Sequence, residues 1–177
     1  MFYAIYMSLK WKIIEKIIAV LLIIFAASEF YSVLFTIDNQ LNIAFGNQPI
    51  NWENVSFVKL FKTYHLETFV SVFTFIAAVL LLIKKRVGWT LSIAVIIINI
   101  LSYLIFLFHQ KGRYEEIRDF LLYFICSLII IIYLAFLILL FQKPIREKYF
   151  TSRKASFIIG LIVGIYLIDR ILILFNT

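Results

Sequence analysis

The chain has 177 residues, of which 64% are hydrophobic, 18% aromatic and only 15% charged, with a formal net charge of +7. A water-soluble domain is about half apolar and about one quarter charged. This composition therefore excludes an ordinary soluble domain, and the single cysteine, Cys126, excludes an internal disulfide or a site built from several thiolates. The chain is predicted to be an integral membrane protein.

Five apolar stretches are predicted to cross the bilayer as helices. Each is close to the 20 residues that a helix needs to span about 30 Å of hydrocarbon. In chain order they cover residues 17–37, 66–83, 87–108, 120–141 and 155–175. The predicted fold is therefore an all-α, five-helix transmembrane bundle that forms a single polytopic membrane domain over residues 1–177.

Lysine and arginine residues in the connections predict the orientation of the bundle. Eleven of them lie in the N-terminal segment, in the turn between spans two and three, and in the link between spans four and five, whereas five lie in the opposite connections. Cytoplasmic loops keep the positive excess, so the N-terminus is predicted to be cytoplasmic and the C-terminus extracytoplasmic. The excess of Lys and Arg thus indicates membrane topology rather than nucleic-acid binding. We expect a multi-pass protein of a bacterial inner (cytoplasmic) membrane.

The first outer connection, residues 38–63, is the only one long enough to hold structure of its own. Its first half is rich in Asn and Gln and contains Gly46 and Pro49, which predicts an irregular loop. From Asn51, a candidate helix cap, apolar residues recur at helical spacing: Trp52, Val55, Val58 and Phe61. This pattern predicts a short helix at the outer interface, and the alternative is a loop folded over the mouth of the bundle.

Polar residues inside the spans recur at helical spacings and so share faces. Ser and Thr at such positions are explained by ordinary helix packing in a bilayer. A carboxylate or an amide at membrane depth needs a partner or a function, which singles out Glu29 and Asn99.

With the predicted topology, most of these polar residues fall in the outer half of the membrane, above an almost wholly apolar inner half. We therefore predict a polar vestibule that opens outward and is sealed below by an apolar plug. Its residues are Glu29, Ser32, Glu67, Ser71, Asn99, Ser102, Asp119, Tyr123, Asp169 and Arg170. Arg170 is the natural partner of Glu29 or Asp169, and we expect the pair with Glu29. Whether the vestibule is functional or a structural ion-pair network stays open.

Gly160 and Gly164 form a GxxxG spacing in the last span, which allows two helix backbones to approach closely. Asp169 lies about 180° away around the helix, at about 100° per residue. If Asp169 faces the bundle, the glycines face outward and are free for a second copy or another protein. The pattern therefore predicts a homo-oligomer or a partner contact through this face.

No catalytic motif is present: the sequence lacks a phosphate-binding glycine loop, a zinc-protease helix pair, a nucleophile elbow and a redox cysteine pair. We accordingly expect a non-enzymatic protein without a cofactor. A membrane metalloenzyme stays open only through a speculative convergence of His65, Glu67, His109 and Asp119, residue types that suit zinc or manganese.

Two main function classes follow. The first is a small accessory, regulatory or immunity and defence-type subunit that acts through self-association or a partner protein. The basic inner segments 84–86 and 143–154 would then dock an acidic partner or anionic lipid. The alternative is a small channel or a proton- or cation-linked transporter, supported by the acidic vestibule.

Overall fold

The structure is a computed structural model that describes residues 2–46, 55–109, 116–149 and 153–175. Its helices are α1 (Phe2–Phe45), α2 (Phe57–Leu82), α3 (Arg86–His109), α4 (Glu116–Leu140), α5 (Lys143–Tyr149) and α6 (Arg153–Phe175). These ranges contain no strand. Five of the helices, all except α5, are long and apolar enough to cross a membrane, which confirms the all-helical, polytopic prediction.

Helix α1 is much longer than the predicted first span. Its 44 residues correspond to about 66 Å, roughly twice the thickness of the hydrocarbon core. The prediction of an irregular segment from residue 38 is therefore wrong up to Phe45. Polar residues do not by themselves end a helix, and Asn42 donates a hydrogen bond to Asp38 one turn earlier, at 3.2 Å. The helix ends at Phe45, and the φ of 56° at the following Gly46 lies in the left-handed region that glycine adopts readily.

Helix α2 begins at Phe57 and continues without interruption to Leu82. Val58 and Phe61, predicted to belong to a short interfacial helix, therefore lie in the first turns of a helix long and apolar enough to cross a membrane. The predicted cap Asn51 and the first apolar position of that predicted helix, Trp52, lie outside the described residues.

A tight turn joins α2 to α3. Lys84 N–H donates to Leu81 C=O and Lys85 N–H donates to Leu80 C=O, both at 2.9 Å, which is the Schellman arrangement of a helix C-terminus. Lys84 occupies the left-handed position, with a φ of 60°. Two residues into α3, a Cβ added at Gly88 would overlap the backbone of Leu80 and Leu81, so the two helices meet almost backbone to backbone.

The apolar core lies between α1, α2, α3 and α4, towards the end of the bundle that carries the α2–α3 turn and α5. Trp89 and Tyr133 are its largest fully buried side chains, and Trp89 Nε1 donates to Leu140 C=O at 3.1 Å. Helix α3 packs against α2, α4 and α6, whereas α6 contributes few buried side chains. Large apolar side chains on the outer faces of the helices are exposed, as a bilayer-facing surface requires.

Candidate binding site

A polar cavity of about 400 Å³ lies between α1, α2, α3 and α6, on the other side of the core from α5. It is lined by residues from the middle of α1, from the first half of α2 and from near the ends of α3 and α6. Its polar lining residues are Ser28, Glu29, Ser32, Glu67, Asn99, Ser102, Tyr103, Tyr166 and Arg170. The volume falls within the range of small-molecule sites.

Six of the ten residues predicted for the vestibule line this cavity: Glu29, Ser32, Glu67, Asn99, Ser102 and Arg170. Of the others, Ser71 is buried and donates to Thr68 C=O within its own helix, at 2.9 Å. Tyr123 donates to Leu107 C=O at 3.4 Å, away from the cavity. Asp169 lines a neighbouring groove. The side chain of Asp119 lies outside the described part of the chain.

Two ion pairs connect α2 to α6. Arg170 Nη1 lies 3.1 Å from Glu67 Oε1, and His65 Nε2 lies 3.0 Å from Asp169 Oδ2. The expected pairing of Arg170 with Glu29 is therefore wrong. The reason is the position of α6, which packs along α3 beside α2. This position brings the guanidinium of Arg170 next to the carboxylate of Glu67.

Glu29 instead accepts hydrogen bonds from two tyrosines. Tyr133 Oη and Tyr103 Oη lie 3.3 and 3.4 Å from Glu29 Oε1. Among the side chains that the structure describes, no Lys, Arg or His forms an ion pair with Glu29. The cavity thus contains two carboxylates and one guanidinium, which leaves an excess of one negative charge when both acids are ionised.

The amide and hydroxyl groups of the cavity wall form a local network. Asn99 Nδ2 donates to Thr74 Oγ1 at 3.2 Å and to Val95 C=O at 3.0 Å. Ser102 Oγ lies 2.6 Å from Tyr166 Oη, which joins α3 to α6. Buried polar groups cost free energy unless they are paired, so these contacts stabilise the arrangement of the cavity wall. Among the charged residues described in the wall, Glu29 has no cationic partner.

The speculative metal site has no counterpart in the described side chains. His65 and Glu67 belong to different ion pairs. The side chains of His109 and Asp119 lie outside the described part. Within it, no group of three His, Cys, Asp or Glu side chains is arranged to hold a metal ion.

A second polar centre lies at the opposite end of the bundle. Glu15 is buried in α1, and Lys148 Nζ lies 2.8 Å from its Oε2. Tyr149 Oη donates to Glu15 Oε1. Burial raises the pKa of the Tyr149 phenol, and the hydrogen bond to Glu15 and its negative charge act in the same direction. Tyr149 is therefore a neutral donor that helps to hold α5 against α1.

Sequence reasoning missed several of these residues. Tyr103, Tyr133 and Tyr166 are not among the predicted vestibule residues, although a tyrosine hydroxyl at membrane depth needs a hydrogen-bond partner. The spacing of Tyr166 four residues before Arg170 could have placed it on the same face. Glu15 was overlooked because it lies among the lysines of the N-terminal segment, where its pairing with a residue far along the chain leaves no local signal.

The chain matches no known family model, no curated protein and no solved structure.

Proposed function

We propose that the protein is a small membrane carrier that binds a cationic solute in the polar cavity. The observation that carries the proposal is Glu29, a carboxylate at membrane depth that lies in a cavity of about 400 Å³ and forms no ion pair with a described side chain. An ionisable residue inside a membrane marks a functional site by default. A monovalent cation would balance the excess negative charge of the cavity.

The packing below the cavity favours a carrier over an open channel. Along α1 the cavity residues Ser28 and Glu29 are followed, towards α5, by the fully buried core residues Leu22, Ala19 and Ile18. Along α3 the same order runs from Asn99 to the buried Ile96, Ile93 and Trp89. A solute that crossed the membrane would have to wait for this core to rearrange, as in alternating access.

The distribution of Lys and Arg supports the orientation in which the cavity opens to the extracytoplasmic side. Eleven of the 17 Lys and Arg residues lie in the N-terminal segment, the α2–α3 turn and the α4–α6 link, at the end opposite to the cavity. A cation would therefore enter from outside the cell.

Titration of tetramethylammonium into the protein in lipid nanodiscs tests the proposal. Glu29→Gln should weaken binding by at least about tenfold, which corresponds to about 1.4 kcal/mol. Arg170→Gln should tighten binding, because it removes the only positive charge of the described cavity lining. Glu147→Gln removes the same charge from an exposed site on α5 and is the matched control. Equal affinities of the wild type and Glu29→Gln would refute the proposal.

The second candidate is an accessory subunit that acts by self-association through α6. One observation favours it: a Cβ added at Gly160 or Gly164 would meet no atom of the described chain within 4 Å. The ion pair of Asp169 with His65 turns the opposite face of α6 towards α2. The glycines are therefore open to a second copy or another membrane protein.

Native mass measurement in a mild detergent tests this candidate. Gly160→Leu adds bulk where two backbones would meet, so it should shift an oligomer towards the monomer. Ile138→Phe enlarges an exposed side chain on α4 and is the control. If Gly160→Leu keeps the mass of the wild type, the glycine face is not the contact.

A further inference from the structure

A second, apolar cavity lies beside the polar one. It has a volume of about 570 Å³ and forms a groove between α2, α3 and α6. Phe69 and Phe73 of α2 and Ile165 and Leu172 of α6 line it and are themselves exposed. Because α2 and α6 both have the length and hydropathy of membrane spans, the groove opens towards the hydrocarbon of the bilayer.

The two cavities share a wall of side chains. Leu66, Val70 and Tyr166 line both of them. Leu66 and Tyr166 are buried and pack against Ile98 of α3. Helix α6 packs mainly along α3, and two side-chain ion pairs link it to α2. The side chains of Leu66, Val70 and Tyr166 thus lie between the polar cavity and the apolar groove.

We propose that the solute is an amphipathic organic cation, whose charged end lies beside Glu29 and whose apolar part lies in the α2–α6 groove. This inference rests on the proposed carrier function and names its substrate class. Charge complementarity places the cation in the cavity with the excess carboxylate. The hydrophobic effect places the tail in the groove, where the polar residues other than Tyr166 are the paired His65 and Asp169.

The experiment compares alkyltrimethylammonium ions from methyl to hexyl, titrated into the protein in nanodiscs of zwitterionic lipid. Each buried methylene contributes about 0.8 kcal/mol, so the wild-type Kd should fall by up to about fourfold per added carbon. Ile165→Trp fills the groove from an exposed position and should abolish this dependence on chain length. Ile138→Trp, an exposed site on α4 outside the groove, should keep it. Ile168→Trp repeats the test if the first variant does not fold.

Three outcomes separate the inferences. Loss of the chain-length dependence in Ile165→Trp but not in Ile138→Trp supports the amphipathic substrate. The same dependence in both variants shows that the tail does not lie in the groove. In that case a Glu29-dependent affinity for tetramethylammonium still leaves the carrier proposal standing. If tetramethylammonium binding does not depend on Glu29, both inferences fall together.

Discussion

Lys84 occupies a backbone conformation that usually belongs to glycine. Its φ of 60° lies at the left-handed position of the helix-ending turn between α2 and α3. A side chain with a Cβ pays a steric cost there that glycine avoids. Lys84→Gly should therefore raise the free energy of unfolding by about 0.5 to 1 kcal/mol, because relief of this strain exceeds the entropy that glycine loses on folding.

Thermal unfolding in detergent checks this expectation. Lys85→Gly removes the same charge from the neighbouring residue, which has no positive φ, and should not raise the melting temperature. Equal effects of the two changes would show that charge, rather than backbone strain, determines stability at this turn.

The contribution of Glu15 to stability depends on the residues that pair with it. It is buried, and it accepts hydrogen bonds from Lys148 and Tyr149. Lys148→Met should lower the free energy of unfolding by about 2 kcal/mol, because the buried carboxylate loses its cation. Adding Glu15→Gln to that variant should recover much of the loss. A double-mutant cycle measures the coupling, and additive losses would contradict it.

At the scale of the helix, the glycines of the α2–α3 hairpin and of α6 differ in the space available for a side chain. A Cβ at Gly88 would overlap the backbone of α2, whereas a Cβ at Gly160 would meet nothing within 4 Å. Gly88→Ala should therefore destabilise the protein by about 1 to 3 kcal/mol. Gly160→Ala should be neutral or slightly stabilising in a helix. Thermal unfolding of the two variants compares one substitution in both environments, and equal losses would contradict the close approach of α2 and α3.

Helix number and helix type were predictable because they depend on local properties. Runs of apolar residues near 20 long indicate spans without knowledge of their neighbours, and the positions of the five long helices follow from them. The end of α1 was not predictable from the sequence, because Asp38 and Asn42 are polar residues that continue a helix. A hydropathy pattern measures the preference for lipid, and it does not report where helical hydrogen bonding stops.

Six polar residues of the cavity were predictable one helix at a time, but their pairing was not. Helical spacing places Glu67 on the same face of its span as other polar residues. It also places Asp169 on the face of α6 opposite to the glycines. Which face meets which depends on how α6 packs against α2 and α3, and no local pattern encodes that choice. The pairs Arg170–Glu67 and His65–Asp169 therefore required the structure.

At the scale of the whole molecule, the predicted orientation assigns the cavity to the extracytoplasmic side. Ala44→Cys places a thiol at an exposed site near the end of α1, and Lys85→Cys places one at the α2–α3 turn. A membrane-impermeant thiol reagent applied to intact cells should label the first variant and not the second. The wild type, with its buried Cys126, serves as the blank. Labelling of Lys85→Cys alone would reverse the orientation.

The depth of Glu29 exposes any bound cation to the electric field across the membrane. Glu29 lies eight residues before the end of the predicted first span, residues 17–37, or about 12 Å into roughly 30 Å of hydrocarbon. One elementary charge that crosses the whole membrane gains about 2.3 kcal/mol per 100 mV. A cation that enters from outside should thus bind about fivefold more tightly at an interior-negative potential of about 100 mV, since it crosses about 0.4 of the field. Tetramethylammonium binding to oriented proteoliposomes under a potassium diffusion potential measures this dependence, and voltage-independent binding would place the cation at the surface instead.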